Sequence, residues 1–277
     1  MPGTRRAERV SSPVMDSNER ILLAAWKKDP GSSAILTDID GTLAPIVPTP
    51  DMAEVSADLK KVLRRLSEEY LLVAGISGRK TEDALSLIGL EDIVYFGNHG
   101  FEILRDGEVE VITEALPYLE KVQELEQRAR DELEPLGAFI EEKGITASIH
   151  YRNVSTKIGD RCVEFVKAEG ERLGLRITVG RSVVEARPPI QANKGTAVRR
   201  LVEEYGPKRA MFLGDDTTDL DAFRELEKLR EEGILEEILR IGVRSDEGPP
   251  EIISGSDIAV DGVDGVGEVL RVLADED

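Results

Sequence analysis

Short apolar runs and segments with helical spacing alternate along the first third of the chain. The apolar runs over 34–38, 71–76 and 93–96 have the length of buried strands. Between them, 57–69 and 81–88 carry apolar residues three and four positions apart, which is the spacing of one face of a helix. Strands that alternate with helices in this way predict a parallel sheet with helices packed on its faces.

The pattern changes in the middle of the chain and then returns. The intervening segment predicts a hairpin, a long helix, two strands, a second helix and two more strands, which is typical of an α+β unit. We therefore expect an α/β fold with a Rossmann-like parallel sheet core over 18–106 and 184–277 and an inserted α+β cap domain over 107–183. Residues 1–17 are rich in Pro, Ser, Arg and Gly and predict a flexible N-terminal arm.

Two carboxylates follow directly after the first predicted strand. Asp38 and Asp40 lie two residues apart, and side chains at that spacing on a strand share one face. Open α/β folds hold their ligands at the ends of parallel strands. There, one carboxylate can attack an electrophile while the other moves a proton. The same residues also fit a solvated turn, so this segment alone leaves both interpretations open.

Two further segments offer groups that suit a phosphoryl oxygen. Ser77, Gly78 and Arg79 supply a hydroxyl, a glycine and backbone N–H groups at the start of a predicted helix. Lys194 follows Asn193 at the start of another predicted helix, where its ammonium group can neutralise a phosphoryl group during transfer. Each segment also fits an ordinary surface loop or the solvated first turn of a helix.

An acidic cluster and a histidine-containing loop follow two other predicted strands. Asp215, Asp216 and Asp219 lie within five residues, and carboxylate clusters bind hard cations such as Mg²⁺. The alternative for this cluster is a solvated helix cap. Asn98 and His99 lie between two glycines after the third predicted strand, where His99 equally fits a structural hydrogen bond within its loop.

The charge balance limits the classes of partner. The 277 residues include 36 Lys and Arg against 55 Asp and Glu, a formal net charge of −19, which disfavours nucleic acid and anionic membranes. An anionic small molecule stays open, because local basic residues can dominate one cleft. The sequence has a single cysteine, no apolar run of membrane-spanning length and no signal-peptide pattern. We therefore expect a cytoplasmic location.

In their order along the chain, these segments resemble the haloacid dehalogenase superfamily of phosphotransferases. The matches to its four core motifs are Asp38-x-Asp40-Gly-Thr, Ser77, Lys194 and Gly-Asp215-Asp216-x-x-Asp219. Finer details resemble the trehalose-6-phosphate phosphatase family. Its cap shows an acid-x-Lys pair, His-Tyr-Arg and Glu-x-Arg-Pro, which match 141–143, 150–152 and 185–188.

The resemblance implies a mechanism on named residues. Asp38 would form a phosphoaspartate, and Asp40 would protonate the leaving sugar oxygen and then activate water. Ser77 and Lys194 would hold the phosphoryl oxygens. Mg²⁺ would be held by Asp38, the Asp40 carbonyl and Asp215. Asp216 and Asp219 are expected to orient the groups that bind the metal without binding it directly. Those expected to bind the substrate are Thr42, Gly78, Arg79, Asn98, His99, Glu141, Lys143, His150, Arg152, Glu185, Arg187 and Asn193.

The implied activity is hydrolysis of trehalose 6-phosphate to trehalose and phosphate, the last step of trehalose biosynthesis. The implied partners are a small-molecule sugar phosphate and, through a functional link, a trehalose-phosphate synthase. Alternatives within the superfamily are a sucrose-phosphate or mannosylglycerate-phosphate phosphatase. A different class is a non-catalytic sugar-phosphate-binding domain, against which the intact Asp38, Asp40, Lys194 and Asp215 argue.

Overall fold

The computed structural model describes residue 15 and residues 17–47, 49, 52–180, 182–245 and 248–275. Residues 1–14 and 16 of the predicted arm therefore lie outside the described residues, whereas Met15 is buried against the core. Within the described ranges, no helix combines the length and the apolarity needed to cross a membrane.

Two β-sheets organise the described part of the molecule, one of eight strands and one of four. The strands are β1 Ser33–Thr37, β2 Leu72–Ile76, β3 Val94–Gly97, β4 Glu102–Arg105, β5 Glu108–Val111, β6 Phe139–Glu142, β7 Ala147–His150, β8 Arg176–Gly180, β9 Val183–Arg187, β10 Arg209–Gly214, β11 Glu237–Arg244 and β12 Ile258–Asp261. The α-helices are α1 Ser17–Trp26, α2 Ala57–Glu69, α3 Thr81–Ile88, α4 Leu119–Leu133, α5 Thr156–Leu173, α6 Lys194–Tyr205, α7 Asp219–Glu231, α8 Pro250–Ser254 and α9 Gly262–Leu273.

The eight-stranded sheet has the order β12-β11-β10-β1-β2-β3-β4-β5. The pairs from β12 to β3 are parallel, whereas β4 and β5 are antiparallel additions at one edge. From β1 the chain moves outward to β2 and β3 on one side, and it later returns to β10, β11 and β12 on the other. The order therefore reverses between β1 and β10. A reversal of this kind opens a crevice at the carboxyl ends of the two strands, which is where ligands bind.

Helices cover both faces of this sheet. The first three helices and α9 pack on one face, and α6, α7 and α8 pack on the other. Strand β1 is buried along its whole length and sends alternate side chains into the two layers. Helix α2 packs on the sheet because its apolar residues recur at helical spacing and share one buried side. These residues are Leu59, Val62, Leu63 and Leu66. Ser56 begins this helix by accepting a hydrogen bond from the Leu59 N–H at 3.2 Å.

The four-stranded sheet is antiparallel and has the order β6-β7-β9-β8. Helices α4 and α5 cover one of its faces, where Ile140, Ile149 and Val184 join a separate apolar cluster. The other face presents the alternate residues of the same strands, many of them polar. This second sheet with its own helices, beside a mainly parallel sheet, confirms the predicted fold class.

Each predicted limit of the inserted domain, at 107 and at 183, puts one strand on the wrong side: β5 lies inside the predicted domain, and nearly all of β9 lies outside it. Strand β5 pairs with β4 in the large sheet, and β9 pairs with β7 and β8 in the small sheet. Cuts at 107 and 183 would therefore separate hydrogen-bonded strands. The division into a core and a cap stays a prediction, and strand pairing favours limits after β5 and after β9.

Candidate active site

Two carboxylates meet at the point where the strand order reverses. Asp38 follows β1, Asp215 follows β10, and the Asp38 N–H donates to the Leu213 carbonyl at 2.8 Å. Both side chains are buried, with relative exposures of 4% and 2%. The neighbouring positions of β1 and β10 therefore place two acids of distant sequence next to each other in the crevice.

Lys194, in the first turn of α6, bridges two carboxylates in this crevice. Its Nζ lies 2.6 Å from Asp38 Oδ1 and 2.6 Å from Asp219 Oδ1. The second oxygen of Asp219 accepts from the backbone N–H groups of Asp215 at 3.0 Å and Asp216 at 2.9 Å. Both oxygens of Asp219 are thus occupied in holding the lysine and the turn after β10.

Burial shifts the proton equilibria of these groups. Burial raises the pKa of Asp38 well above its usual value and outweighs the opposing effect of Lys194. Burial, followed by the charge of Asp219, raises the pKa of Asp215 to about 6. Burial alone would lower the pKa of Lys194, but the charges of Asp219 and Asp38 outweigh it and raise the pKa, so the lysine stays charged. Three acids facing one lysine leave the crevice short of positive charge.

The donor set fits a hard divalent cation. Asp38, Asp215 and Asp219 each bring a carboxylate oxygen to within 4.8 Å of the others. Asp215 Oδ1 is buried and has no hydrogen-bond partner among the described residues. A buried carboxylate oxygen in this position suits Mg²⁺, which prefers one or two protein carboxylates and retains several waters. The Asp40 carbonyl stays a predicted ligand, and the Asp216 side chain is exposed to solvent.

Gly41 allows the loop after β1 to approach Asp215 closely. Its φ is +89°, a conformation that favours glycine. A Cβ atom built on this residue would lie 2.2 Å from Asp215 Oδ2. Next to it, Thr42 is fully buried, and its Oγ1 has no hydrogen-bond partner in the part of the chain that the structure covers. The close approach of this loop to the Asp215 carboxylate therefore requires glycine at position 41.

Arg79 holds the second acid of the first motif. Its Nε and Nη2 donate to Asp40 Oδ2 at 2.7 Å and to Asp40 Oδ1 at 2.6 Å. This two-pronged geometry is the strongest form of an arginine–carboxylate pair. Ser77 is buried at the end of β2 and accepts from the Arg79 N–H at 3.1 Å. The two predicted segments after β1 and β2 are therefore in direct contact.

The loop after β3 joins the two sheets. Asn98 and His99 adopt positive φ values of 48° and 57°. The Asn98 amide Nδ2 donates to the Lys143 carbonyl at 2.7 Å, and Thr146 Oγ1 donates to Asn98 Oδ1 at 3.3 Å. Asn98 is fully buried by these contacts. Its side chain fastens the loop before β7 to the large sheet, and its role in substrate binding stays a prediction.

His99 lies over Gly78 and faces charged groups from both sheets. A Cβ atom on Gly78 would come within 2.5 Å of His99 Cε1, so the glycine makes room for the ring. Burial lowers the pKa of His99, and the charge of Glu185 opposes that shift. The positive charges of Lys194 and Lys143 lower the pKa of His99 further. His99 is thus a point where groups from both sheets come together.

The open face of the small sheet carries five of the twelve predicted substrate residues. Glu141 accepts a hydrogen bond from His150 Nε2 at 2.9 Å when that nitrogen is protonated, and Glu141 lies 3.6 Å from Lys143 Nζ. The hydrogen bond with His150 is the largest cause that lowers the pKa of Glu141. Glu185 and Arg187 alternate on β9 with buried residues and so face the same side.

Two predicted substrate residues lie elsewhere. Strand β7 ends at His150, because the chain enters a turn, so the expected strand alternation does not extend to Arg152, which is exposed. Asn193 caps α6, with its Oδ1 accepting from the Thr196 N–H at 2.9 Å and its own N–H donating to Thr196 Oγ1 at 3.0 Å. The Asn193 side chain therefore positions the helix that carries Lys194.

The family model described as trehalose-phosphatase matches residues 36–248, well over half of the chain. The chain belongs to the trehalose-phosphatase family. All the site residues predicted from the sequence, from Asp38 to Asp219, lie within the matched segment.

Curated relatives of this family share about a third of the aligned sequence. The trehalose-phosphate phosphatase of Mycobacterium marinum is 38% identical over 200 residues, which cover 69% of this chain and 50% of that protein. That of Mycolicibacterium paratuberculosis is 33% identical over 226 residues, covering 79% and 58%. The chain thus spans about half the length of the curated relatives it matches.

A solved structure shares the trehalose-phosphatase fold. The C-terminal domain of trehalose-6-phosphate phosphatase from C. albicans superposes with a TM-score of 0.69 at 24% identity. The superposition covers 96% of this chain and 99% of that one. It shows the fold of the two sheets and their helices.

Some residues at and near the candidate site had no signal in the sequence. Thr146 supports Asn98, and Glu126 of α4 is 5% exposed behind the same cap loop. Burial raises the pKa of Glu126 to about 7, and its Oε1 has no hydrogen-bond partner within the described ranges. A lone threonine just before a strand and one glutamate among many on a helix carry no motif, so only tertiary contacts could reveal them.

Proposed function

We propose that this chain hydrolyses trehalose 6-phosphate to trehalose and inorganic phosphate, the last step of trehalose biosynthesis. The observation that carries the proposal is the buried bridge in which Lys194 Nζ lies 2.6 Å from both Asp38 and Asp219, beside Asp215. Membership in the trehalose-phosphatase family supports the choice of substrate. A surface turn would not bury four charged groups at a strand switch point.

The chemistry has two displacements at phosphorus. An oxygen of Asp38 attacks the phosphorus of the substrate, and the bond between phosphorus and the sugar oxygen breaks as Asp40 gives that oxygen a proton. Asp40, now a carboxylate, takes a proton from water, whose oxygen attacks the phosphoaspartate and releases phosphate and free Asp38. Lys194 holds Asp38 Oδ1, which leaves Oδ2 as the attacking oxygen in this proposal.

Mg²⁺ is the proposed metal, held by Asp38, Asp215 and the Asp40 carbonyl. When bound, it supplies positive charge that offsets the repulsion between the Asp38 carboxylate and the phosphate dianion. Asp219 is proposed to act through Lys194 and the turn after β10, because both its oxygens already accept hydrogen bonds. Asp216 contributes its backbone N–H to the same turn.

Arg79 sets a condition on the proton transfer. Its two donors occupy both oxygens of Asp40. Asp40 can protonate the sugar oxygen only after at least one of these bonds has opened. We propose that the substrate phosphate competes for Arg79 and frees Asp40 as it binds.

The cap face is proposed to read the sugar. Strands β6 to β9 with α4 and α5 form the inserted cap in this proposal. Glu141, Lys143, Glu185 and Arg187 share its open face, and charged groups form strong hydrogen bonds with hydroxyls. The electrostatic effect of Glu185 on His99 supports a position of this face over the core site.

A phosphate-release assay tests the proposal. The panel contains trehalose 6-phosphate, sucrose 6-phosphate and glucose 6-phosphate, each with Mg²⁺ or with EDTA. We expect trehalose 6-phosphate to give the highest kcat/KM, EDTA to abolish release and Asp38→Asn to be inactive while still folded. Preference for either other sugar phosphate would overturn the substrate, and no release from any would favour a binding domain. A cytoplasmic location and a functional link to a trehalose-phosphate synthase are part of the same proposal.

A further inference from the structure

The open face of the small sheet carries an exposed aromatic side chain. Phe139 is the first residue of β6, and 63% of its surface is exposed. Glu141 lies two positions further along the same strand and therefore points to the same side. The residue between them, Ile140, is buried against the helices on the other face.

Strand register arranges this face in rows. Phe139 lies opposite His150, which lies opposite Val183. The aromatic rings of Phe139 and His150 are 5.8 Å apart between centroids. In the next row, Glu141 lies opposite Ser148, and Ser148 opposite Glu185. The row of Phe139 is thus next to the row of Glu141 and Glu185, the acids that are proposed to bind sugar hydroxyls.

The row of Phe139 is also the one furthest from the phosphate site. The end of the sheet nearest the core is marked by Lys143, whose carbonyl is bound by Asn98. Phe139 lies four residues before Lys143, a separation of about 13 Å along an extended strand. That length exceeds a single pyranose ring and is comparable with a disaccharide.

We propose that Phe139 and His150 form the subsite for the sugar ring that carries no phosphate. This inference rests on the proposed function and adds the part of the site that distinguishes a disaccharide phosphate from a monosaccharide phosphate. A pyranose ring has an apolar C–H face, and covering it with the Phe139 ring removes apolar surface of both from water. His150, fixed by Glu141 at 2.9 Å, offers its ring beside that face.

A single substitution tests the subsite. Phe139→Ala should raise the KM for trehalose 6-phosphate and the inhibition constant of trehalose about tenfold, which corresponds to about 1.4 kcal/mol. The inhibition constant of glucose 6-phosphate, which has one ring, should not change. Phe139→Tyr should behave like the wild type, because it retains the ring face.

The matched control is Val179→Ala. Val179 is also an exposed apolar residue of this sheet, but it pairs with Val184, whose side chain points to the helix-covered face. We expect the control to leave all three constants unchanged. An unchanged KM for trehalose 6-phosphate in Phe139→Ala, or equal weakening of glucose 6-phosphate, would overturn the subsite. Failure of the wild type to hydrolyse trehalose 6-phosphate would instead overturn the proposed function.

Discussion

Gly41→Ala is expected to damage the metal site through one added methyl group. The new Cβ would lie 2.2 Å from Asp215 Oδ2 and 2.4 Å from its Cγ. Ordinary contact requires about 3.4 Å, so the carboxylate would have to move by about 1 Å. Asp215 is 2% exposed, and its backbone N–H is held by Asp219, which limits how the turn can adjust.

Two costs add in this variant. An alanine in the left-handed region costs about 1–2 kcal/mol in backbone strain. Forcing extra volume into a packed site costs about 1–3 kcal/mol more. We therefore expect the free energy of unfolding to fall by about 3 kcal/mol. We also expect Mg²⁺ to bind at least about tenfold more weakly, because a displaced ligand loses its geometry.

Gly107→Ala separates the two costs. Gly107 has a φ of +77°, and no heavy atom lies within 4 Å of a Cβ built there. This control should therefore show the backbone strain alone. Urea denaturation without metal measures stability in both variants, and isothermal titration calorimetry measures Mg²⁺ binding. Equal losses of stability in the two variants, together with wild-type Mg²⁺ affinity in Gly41→Ala, would refute the role given to the close contact with Asp215.

Three further predictions concern Asn98, Lys194 and Glu126. Asn98→Gly keeps a backbone that tolerates positive φ but removes the side-chain amide that donates to the Lys143 carbonyl. We expect kcat/KM for trehalose 6-phosphate to fall about tenfold, while kcat/KM for a small phosphate ester does not change. Wild-type kinetics with trehalose 6-phosphate would contradict the fastening role of Asn98. Lys194→Met leaves the buried carboxylates of Asp38 and Asp219 without their shared cation. Urea denaturation at pH 7 should show a free energy of unfolding lower by about 3 kcal/mol. A loss below about 1 kcal/mol would argue against a stabilising bridge. Burial raises the pKa of Glu126 to about 7, so the folded chain holds a proton that the unfolded chain has lost above about pH 4.3, and stability falls as the pH rises through this window. Glu126→Gln should remove about 1–2 kcal/mol of that fall between pH 5 and pH 8 after solvent screening, unlike the exposed control Glu120→Gln.

Local pattern alone was sufficient for much of the fold. The helices over 57–69 and 81–88 have the predicted bounds in the structure, and α6 begins at Lys194 as expected. Their apolar spacing and end residues act within a few positions of each other, so they can be read without knowledge of the rest of the chain. Five-residue α8 was not predicted, since it is too short to show a helical period.

The strands near the domain junctions needed the tertiary structure. Strands β5 and β9 each have a pattern that either sheet could accept, and only pairing assigns them. The end of β7 at His150 likewise depends on the turn that follows, which removed Arg152 from the expected face. Alternation shows that a strand exists but does not show which neighbour it joins or where pairing stops.

The chemical groups of the candidate site and their order along the chain follow from the sequence alone. Motif and strand-end position singled out Asp38, Lys194 and Asp215 before any contact was known. The pairings, such as Arg79 with Asp40 or Asn98 with Lys143, are visible only in the folded chain. Asp38 and Lys194 are 156 positions apart, and they touch because α6 packs on one face of the large sheet and begins beside the end of β1. Contacts across such distances depend on the whole topology, whereas each group's chemistry is already present in its own residue.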